Sequence, residues 1–261
     1  MKRVLRKLAQ SLRKAAARAT RWLVRQIPGA AWEMIPGPLT YNQDGLATVA
    51  NADFLNDPRF HEAYRLGEQT GSWGNARNHW RVYVLCWAAD KASRLEGDFV
   101  ECGVNRGGDA RAATHFVDFP KLDKTFYLLD TFRGFEDRLI SDAERKRGIL
   151  RFYKYEECYE AVSKTFAGMR VVIVRGVVPE TLPRVTTEKV CFLSIDMNCT
   201  APEIAAAEYL WDRMVSGSVI VLDDYGWKLH YEQKVAFDRF AARKGVMVLG
   251  LPTGQGLIFK P

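Results

Sequence analysis

The sequence predicts an α/β fold: a mostly parallel sheet covered by helices on both faces, with one antiparallel strand near the C-terminus. Three observations predict it. Short, near-continuous apolar runs recur from residue 98 onward, stretches of helical spacing separate the first six of them, and only "LPTGQ" separates the last two. That last gap is too short for a helical crossover, so the final pair is expected to run antiparallel.

The strands are read at 98–102 (DFVEC), 125–129 (TFYLL), 170–174 (RVVIV), 190–195 (VCFLSI), 218–222 (SVIVL), 245–250 (GVMVLG) and 256–259 (GLIF). Helices are expected notably at 107–118, 156–167, 201–214 and 231–243. Upstream, residues 72–95 carry helical apolar spacing and lead into the first strand. Residues 28–60 hold four of the ten prolines and read as an extended connector. Residues 1–27 place Leu5, Leu8, Leu12, Ala16, Ala19 and Leu23 on one helical face, with basic residues on the remaining arc and Pro28 as a stop. The expected plan is a basic amphipathic helix at 1–27, a connector and helical cap at 28–97, and a main domain at 98–261.

Charge is distributed unevenly along this plan. Residues 1–27 hold nine Lys or Arg and no acid, so residues 28–261 carry a net charge of −2 out of a chain total of +7. The main domain therefore lacks the basic stripe that nucleic-acid binding requires. The N-terminal helix suits an anionic membrane surface with Trp22 at the interface; a transit peptide, or a solvated helix packed on its own domain or a partner, would have the same pattern. No apolar run approaches the roughly 18 residues of a membrane span, and a continuous signal-peptide core is missing. Five cysteines without a CxxC pair read as buried free thiols of a reducing compartment. The expected location is cytoplasmic, with peripheral contact at the inner face of the membrane through residues 1–27.

Ligands of open α/β sheets bind beyond the carboxyl ends of the strands. The first strand ends in "ECGVNRGGDA", whose Gly103, Gly107 and Gly108 permit a tight turn and close approach of backbone to a ligand. The spacing is not the G-x-G-x-x-G of dinucleotide binders. The second strand ends at Asp130, 27 residues beyond Gly103, where an acid suits ribose hydroxyls or caps the following turn. The fourth and fifth strands end at Asp196 and at Asp223 and Asp224. Three carboxylates on one rim repel unless a cation joins them, and Mg2+ takes oxygen ligands while keeping positions open for substrate. Helix capping or pairing with Arg213 or Lys228 is the structural alternative.

The pieces "GDFVECGVNRGGDA", "YLLDTFRGF", "VVIVRGVVPETLP", "SIDMNCTAPEIAAAEYLWDRM" and "SGSVIVLDDYG" resemble the macrocin O-methyltransferase family, class I S-adenosylmethionine-dependent methyltransferases that include aminocoumarin sugar O-methyltransferases. "DGLATVANADFLNDPRFHEAY" is similar to the cap of the same group. The resemblance implies a Rossmann-like class I methyltransferase sheet. It implies that Glu101, Gly103 and Asn105 line the methionine end of the cofactor, that Asp130 holds its ribose, that Thr131, Phe132 and Gly134 follow the nucleoside, and that Arg175 and Gly176 lie near the adenine. Asp196, Asp223 and Asp224 match the magnesium ligands. The implied reaction is Mg2+-dependent methylation of a hydroxyl on a sugar, glycosylated small molecule or glycolipid, and a homodimer follows by the same analogy.

The chain departs from the family at Asn198, where antibiotic-modifying members carry the aspartate that takes the proton. An amide accepts no proton near neutral pH. The base is then His230, His79 or Asp224, with His230 favoured by its place in "DDYGWKLHYEQ", or deprotonation rests on the metal; a non-catalytic cofactor-binding or scaffold protein is the alternative. "LPTGQGLIFKP" is read either as part of the pocket wall or as a plain turn.

Overall fold

The computed structural model describes residues 11, 12, 14–16, 18, 19, 22, 37–151 and 156–261. These fall into two compact units, one within residues 1–42 and 47–51, the other formed by 43–46 and 52–261. In the first unit the described residues between 11 and 22 are helical and exposed. The rest of the expected 1–27 helix, and residues 28–36 of the connector, lie outside the described residues.

The second unit holds a seven-stranded sheet. Its strands are β1 (Asp98–Cys102), β2 (Phe126–Asp130), β3 (Val171–Arg175), β4 (Val190–Ile195), β5 (Met214–Leu222), β6 (Leu249–Gly250) and β7 (Gly256–Phe259). The spatial order is β3-β2-β1-β4-β5-β7-β6. All pairs from β3 to β5 are parallel, and β7 runs antiparallel to both β5 and β6. The final pair is antiparallel as expected, and β7 also wedges between its two neighbours.

Alternation along the strands sorts side chains into two cores. Phe99, Phe126, Phe192, Val219 and Val221 face one side, under helices α1 (Pro58–Glu68), α2 (His79–Ser93) and α3 (Gly108–Phe116). Val100, Leu129, Leu193, Ile195 and Ile220 face the other, under helices α6 (Thr200–Trp211) and α7 (Tyr231–Lys244). Two short helices, α4 (Asp142–Arg147) and α5 (Tyr159–Thr165), lie between β2 and β3.

Several boundaries differ from the sequence reading for local reasons. The helix expected from residue 72 starts at His79, because Gly71 and Gly74 take positive φ values of 77° and 55° that no helix accommodates. Gly245, at φ 69°, caps α7, so the sixth strand shrinks to two residues. The fifth strand begins at Met214, inside the span assigned to the preceding helix. Part of the expected connector is helix α1, started by Pro58 at its first turn and by Asp57, whose carboxylate accepts from Arg59 N at 2.8 Å. All five cysteines are free and buried.

Parallel register sets up the site. Cys102 pairs with Leu129 and with Ile195, and Ile195 pairs with Leu222. One residue further on, Gly103, Asp130, Asp196 and Asp223 therefore form a row across the carboxyl end of the sheet. The ladder continues through that row: Gly103 N donates to Leu129 O at 2.9 Å, Asp196 N to Cys102 O at 2.8 Å and Asp223 N to Ile195 O at 3.1 Å. Strand order reverses between β1 and β4, which opens a crevice there.

Candidate active site

A cavity of about 510 Å³ lies over this row and is lined by Gly103, Asn105, Asp130, Thr131, Gly134, Gly176, Asp196, Asn198, Asp223 and Asp224, all of them singled out in the sequence. Glu101, Phe132, Arg175 and His230 are not in the wall. Phe132 is fully buried with its ring against Tyr159, and Arg175 pairs with Glu157 at 3.1 Å.

Gly103 has φ 93°, and a Cβ there would lie 2.0 Å from the Asp196 carbonyl oxygen, so the first loop passes directly against the fourth strand end. Asp130 holds the rest of that loop in place. Its Oδ2 accepts from Val104 N at 2.7 Å and Asn105 N at 2.8 Å, and its Oδ1 accepts from Phe132 N at 2.6 Å. Three of the roughly four lone-pair positions of a carboxylate are thus engaged by backbone. Thr131 Oγ1 adds a longer contact to Oδ1 at 3.3 Å, so the turn-capping alternative is realised at Asp130. Asn105 Oδ1 and both oxygens of Glu101 are buried without a hydrogen-bond partner. Burial, with Asp109 and Asp130 nearby, raises Glu101 well above the usual carboxyl range.

Asp196, Asp223 and Asp224 each offer an oxygen within 4.8 Å of the others. Burial first, then mutual repulsion, raises Asp224 to about 7 and Asp196 well above its ordinary value. Asp224 Oδ2 is buried without a hydrogen-bond partner. Asn198, at φ 57°, donates from Nδ2 to Asp196 Oδ1 at 3.0 Å, so the amide holds the first carboxylate where a second acid would repel it. His230 is buried behind the cluster, with Nε2 3.6 Å from Asp224 Oδ2, and burial lowers it to about 4, which leaves it neutral at pH 7. His79 lies elsewhere: it bonds Gln43 at 2.7 Å and stacks on Tyr64.

The cation at the cluster is neither Arg213 nor Lys228. Arg213 donates to Val185 O and Tyr209 Oη, and Lys228 is exposed. Arg81 of helix α2 takes the position, its Nη1 donating to Asp223 Oδ2 at 2.6 Å. Burial alone would lower its pKa, but Asp223, Asp224 and Asp44 together raise it. Gln255 Nε2 donates to Asp223 Oδ1 at 3.0 Å, which brings the C-terminal "LPTGQ" turn into the site. Asp109, at the start of helix α3, also lines the cavity and accepts from Trp73 Nε1 at 2.9 Å; burial and Asp223 raise it to about 7. Sequence reasoning missed Arg81, Asp109 and Trp73. Asp109 had a signal, as the acid after the glycine pair, whereas Arg81 had none.

Phe135, Glu136 and Leu139 also line the cavity. Their segment is tied down by Glu144, which closes a capping box with Ser141 and accepts from Thr200 N and Oγ1, both at 2.7 Å.

The Gly103 contact leads to a direct expectation. Gly103→Ala should destabilise the protein by roughly 3 kcal/mol, from positive φ and the clash with Asp196, and urea unfolding measures it. A loss below about 1 kcal/mol would mean that the strand ends separate easily.

The sequence pattern of the macrocin O-methyltransferase (TylF) family matches residues 81–248, more than half of the chain. No curated protein sequence matches. Among solved structures, the O-methyltransferase NovP superposes with a TM-score of 0.64 at 18% identity, covering 77% of this chain and 97% of NovP. CalS11, a calicheamicin methyltransferase, gives 0.56 at 17% identity over 78% of this chain and 93% of its own. The apo form of CalS11, described as a TDP-rhamnose 3′-O-methyltransferase, gives 0.51 at 16% identity over 78% and 95%. These likenesses concern the fold of the sheet, and the family match, which spans every strand-end residue of the cavity from Gly103 to Asp224, shows that the chain belongs to the macrocin O-methyltransferase family of S-adenosylmethionine-dependent O-methyltransferases.

Proposed function

We propose that the chain methylates a hydroxyl of a sugar, a glycosylated small molecule or a glycolipid, with Mg2+ at the acidic cluster. The observation that carries this reading is the convergence of Asp196, Asp223 and Asp224 within 4.8 Å beside the cavity. The donor set fits a hard cation: three carboxylates, an unpartnered buried oxygen on Asp224, and raised pKa values that a cation would bring down. The Gly103 turn and the unpartnered Asn105 oxygen in the cavity wall support a bound S-adenosylmethionine, with Asp130, Thr131, Gly134 and Gly176 along its nucleoside. The sugar acceptor follows the family and the sugar named for CalS11.

A divalent cation would lower the pKa of a bound acceptor hydroxyl and offset developing alkoxide charge. The cavity wall, with Gly103 and Asp130 on one side of the strand-order reversal and Asp196 and Asp223 on the other, would hold cofactor and acceptor side by side, which would remove orientational entropy from the barrier. Asn198 fixes Asp196 and takes no proton. Asp109 stands in the cavity wall outside the three-carboxylate cluster, with a carboxyl near neutrality, and is assigned the base.

With labelled cofactor, Mg2+ and a panel of sugar-bearing acceptors, methyl transfer is expected. Asp224→Ala should abolish it, and Asp109→Asn should cut the rate roughly 100-fold with cofactor affinity retained. No transfer to any acceptor, with or without metal, would count against the reading.

A pH dependence arises from the cluster carboxyl of Asp224, raised to about 7 by burial and by Asp223. Protons held at about pH 5.5 must leave before a cation binds, whereas at about pH 8 they have already gone. Mg2+ should therefore raise Tm by several degrees at the higher pH and by little at the lower; equal shifts would remove raised carboxyls from the account.

No helix among the described residues is long and apolar enough to cross a membrane. Residues 1–27 are proposed to lie on an anionic membrane surface, a reading supported by Leu12 and Trp22, helical and 65% and 63% exposed. The full chain should float with anionic vesicles and a chain lacking residues 1–27 should not; equal behaviour ends the proposal.

A further inference from the structure

Arg81 makes three charged contacts with acids distant in sequence. Its Nη1 is 2.6 Å from Asp223 Oδ2 and 3.9 Å from Asp224 Oδ1, and its Nε donates to Asp44 Oδ2 at 2.8 Å. The guanidinium carbon lies 5.6 Å from the Trp227 ring centroid, and the side chain is 18% exposed. With Gln255 on Oδ1, both oxygens of Asp223 are occupied. Asp224 Oδ2 is not. The cluster thus already contains one positive charge, held on the carboxylate that a divalent cation would need.

We propose that Arg81 is a resident counter-ion that competes with the divalent cation for Asp223 and so sets the cation affinity of the site. This rests on the Mg2+ reading above and goes beyond it by naming the residue that tunes it. A guanidinium within 4 Å of two ligand carboxylates repels an incoming cation and must yield a hydrogen bond to it. A buried charge stripped of all partners is strongly unfavourable, which would normally make such an exchange prohibitive. Asp44 removes that obstacle, because Arg81 keeps one carboxylate after releasing Asp223. Asp44, in the turn between the paired strands Tyr41–Gln43 and Leu46–Thr48, is therefore a holding partner for the displaced guanidinium.

Mn2+ titration of the purified full chain, followed by the electron paramagnetic resonance signal of the free ion at fixed pH and salt, tests this without any turnover. Arg81→Gln should bind Mn2+ at least tenfold more tightly than the parent. General damage to the site would weaken binding, so tightening is diagnostic. Arg81→Met, which keeps the apolar stem without the charge, should tighten Mn2+ in the same way and decides the matter if Arg81→Gln does not fold. Equal or weaker binding by Arg81→Gln, or by Arg81→Met where that variant decides, overturns the proposal while the metal site stands. Absence of Mn2+ binding in the parent and both variants overturns the metal reading and this one together.

Discussion

The close pass of Gly103 against the carbonyl of Asp196 is the constraint on which the site depends, because it sets how near the first and fourth strand ends come. A side chain at 103 would push the glycine-rich loop away from the Asp196 strand end. The loop is then fastened from the opposite side by Asp130, which gathers the N–H groups of Val104, Asn105 and Phe132. The strand ends that build the crevice are thus joined, by backbone contact at Gly103 and by the Asp130 carboxylate, before any ligand arrives, and preorganisation of this kind lowers the entropy lost on binding.

Around that frame the protein buries an unusual number of acids. Glu101, Asp109, Asp196, Asp224 and Glu203 all have raised pKa values, with burial the largest cause in each. In an isolated fold such groups are a liability. They make sense where cations are to be received, whether a sulfonium, an ammonium or a metal ion. Arg81 and Asn198 soften the cost in the meantime, one by charge and the other by a hydrogen bond to Asp196.

The strands, their parallel order and the acids that end them were legible in the sequence, since an apolar run stopping at Asp130, Asp196 or Asp223 states both the strand and the position of its rim. Helix α2 was legible as a helix, but its start was not, because Gly71 and Gly74 override the apolar spacing just before it. Arg81 was invisible for a different reason. Its partners lie 37 residues before it and 142 after it, a pairing that only the packed chain creates. Gln255 sat in a turn that read equally as a plain hairpin, and only the insertion of β7 beside β5 brings it to Asp223.

The Glu144 anchor bears on how such a protein changes over evolutionary time. The segment carrying Phe135, Glu136 and Leu139 forms part of the cavity wall, and its ties to helix α6 run through Thr200, to which Glu144 binds, and through Cys199 Sγ, which donates to Leu139 O. Arg138 adds a pair with Glu180 at 2.6 Å, and Phe135 and Leu139 pack with Ile140 and Ile149. None of these ties involves the Gly103–Asp196 contact, so substitutions in this part of the wall can accumulate without moving the strand ends.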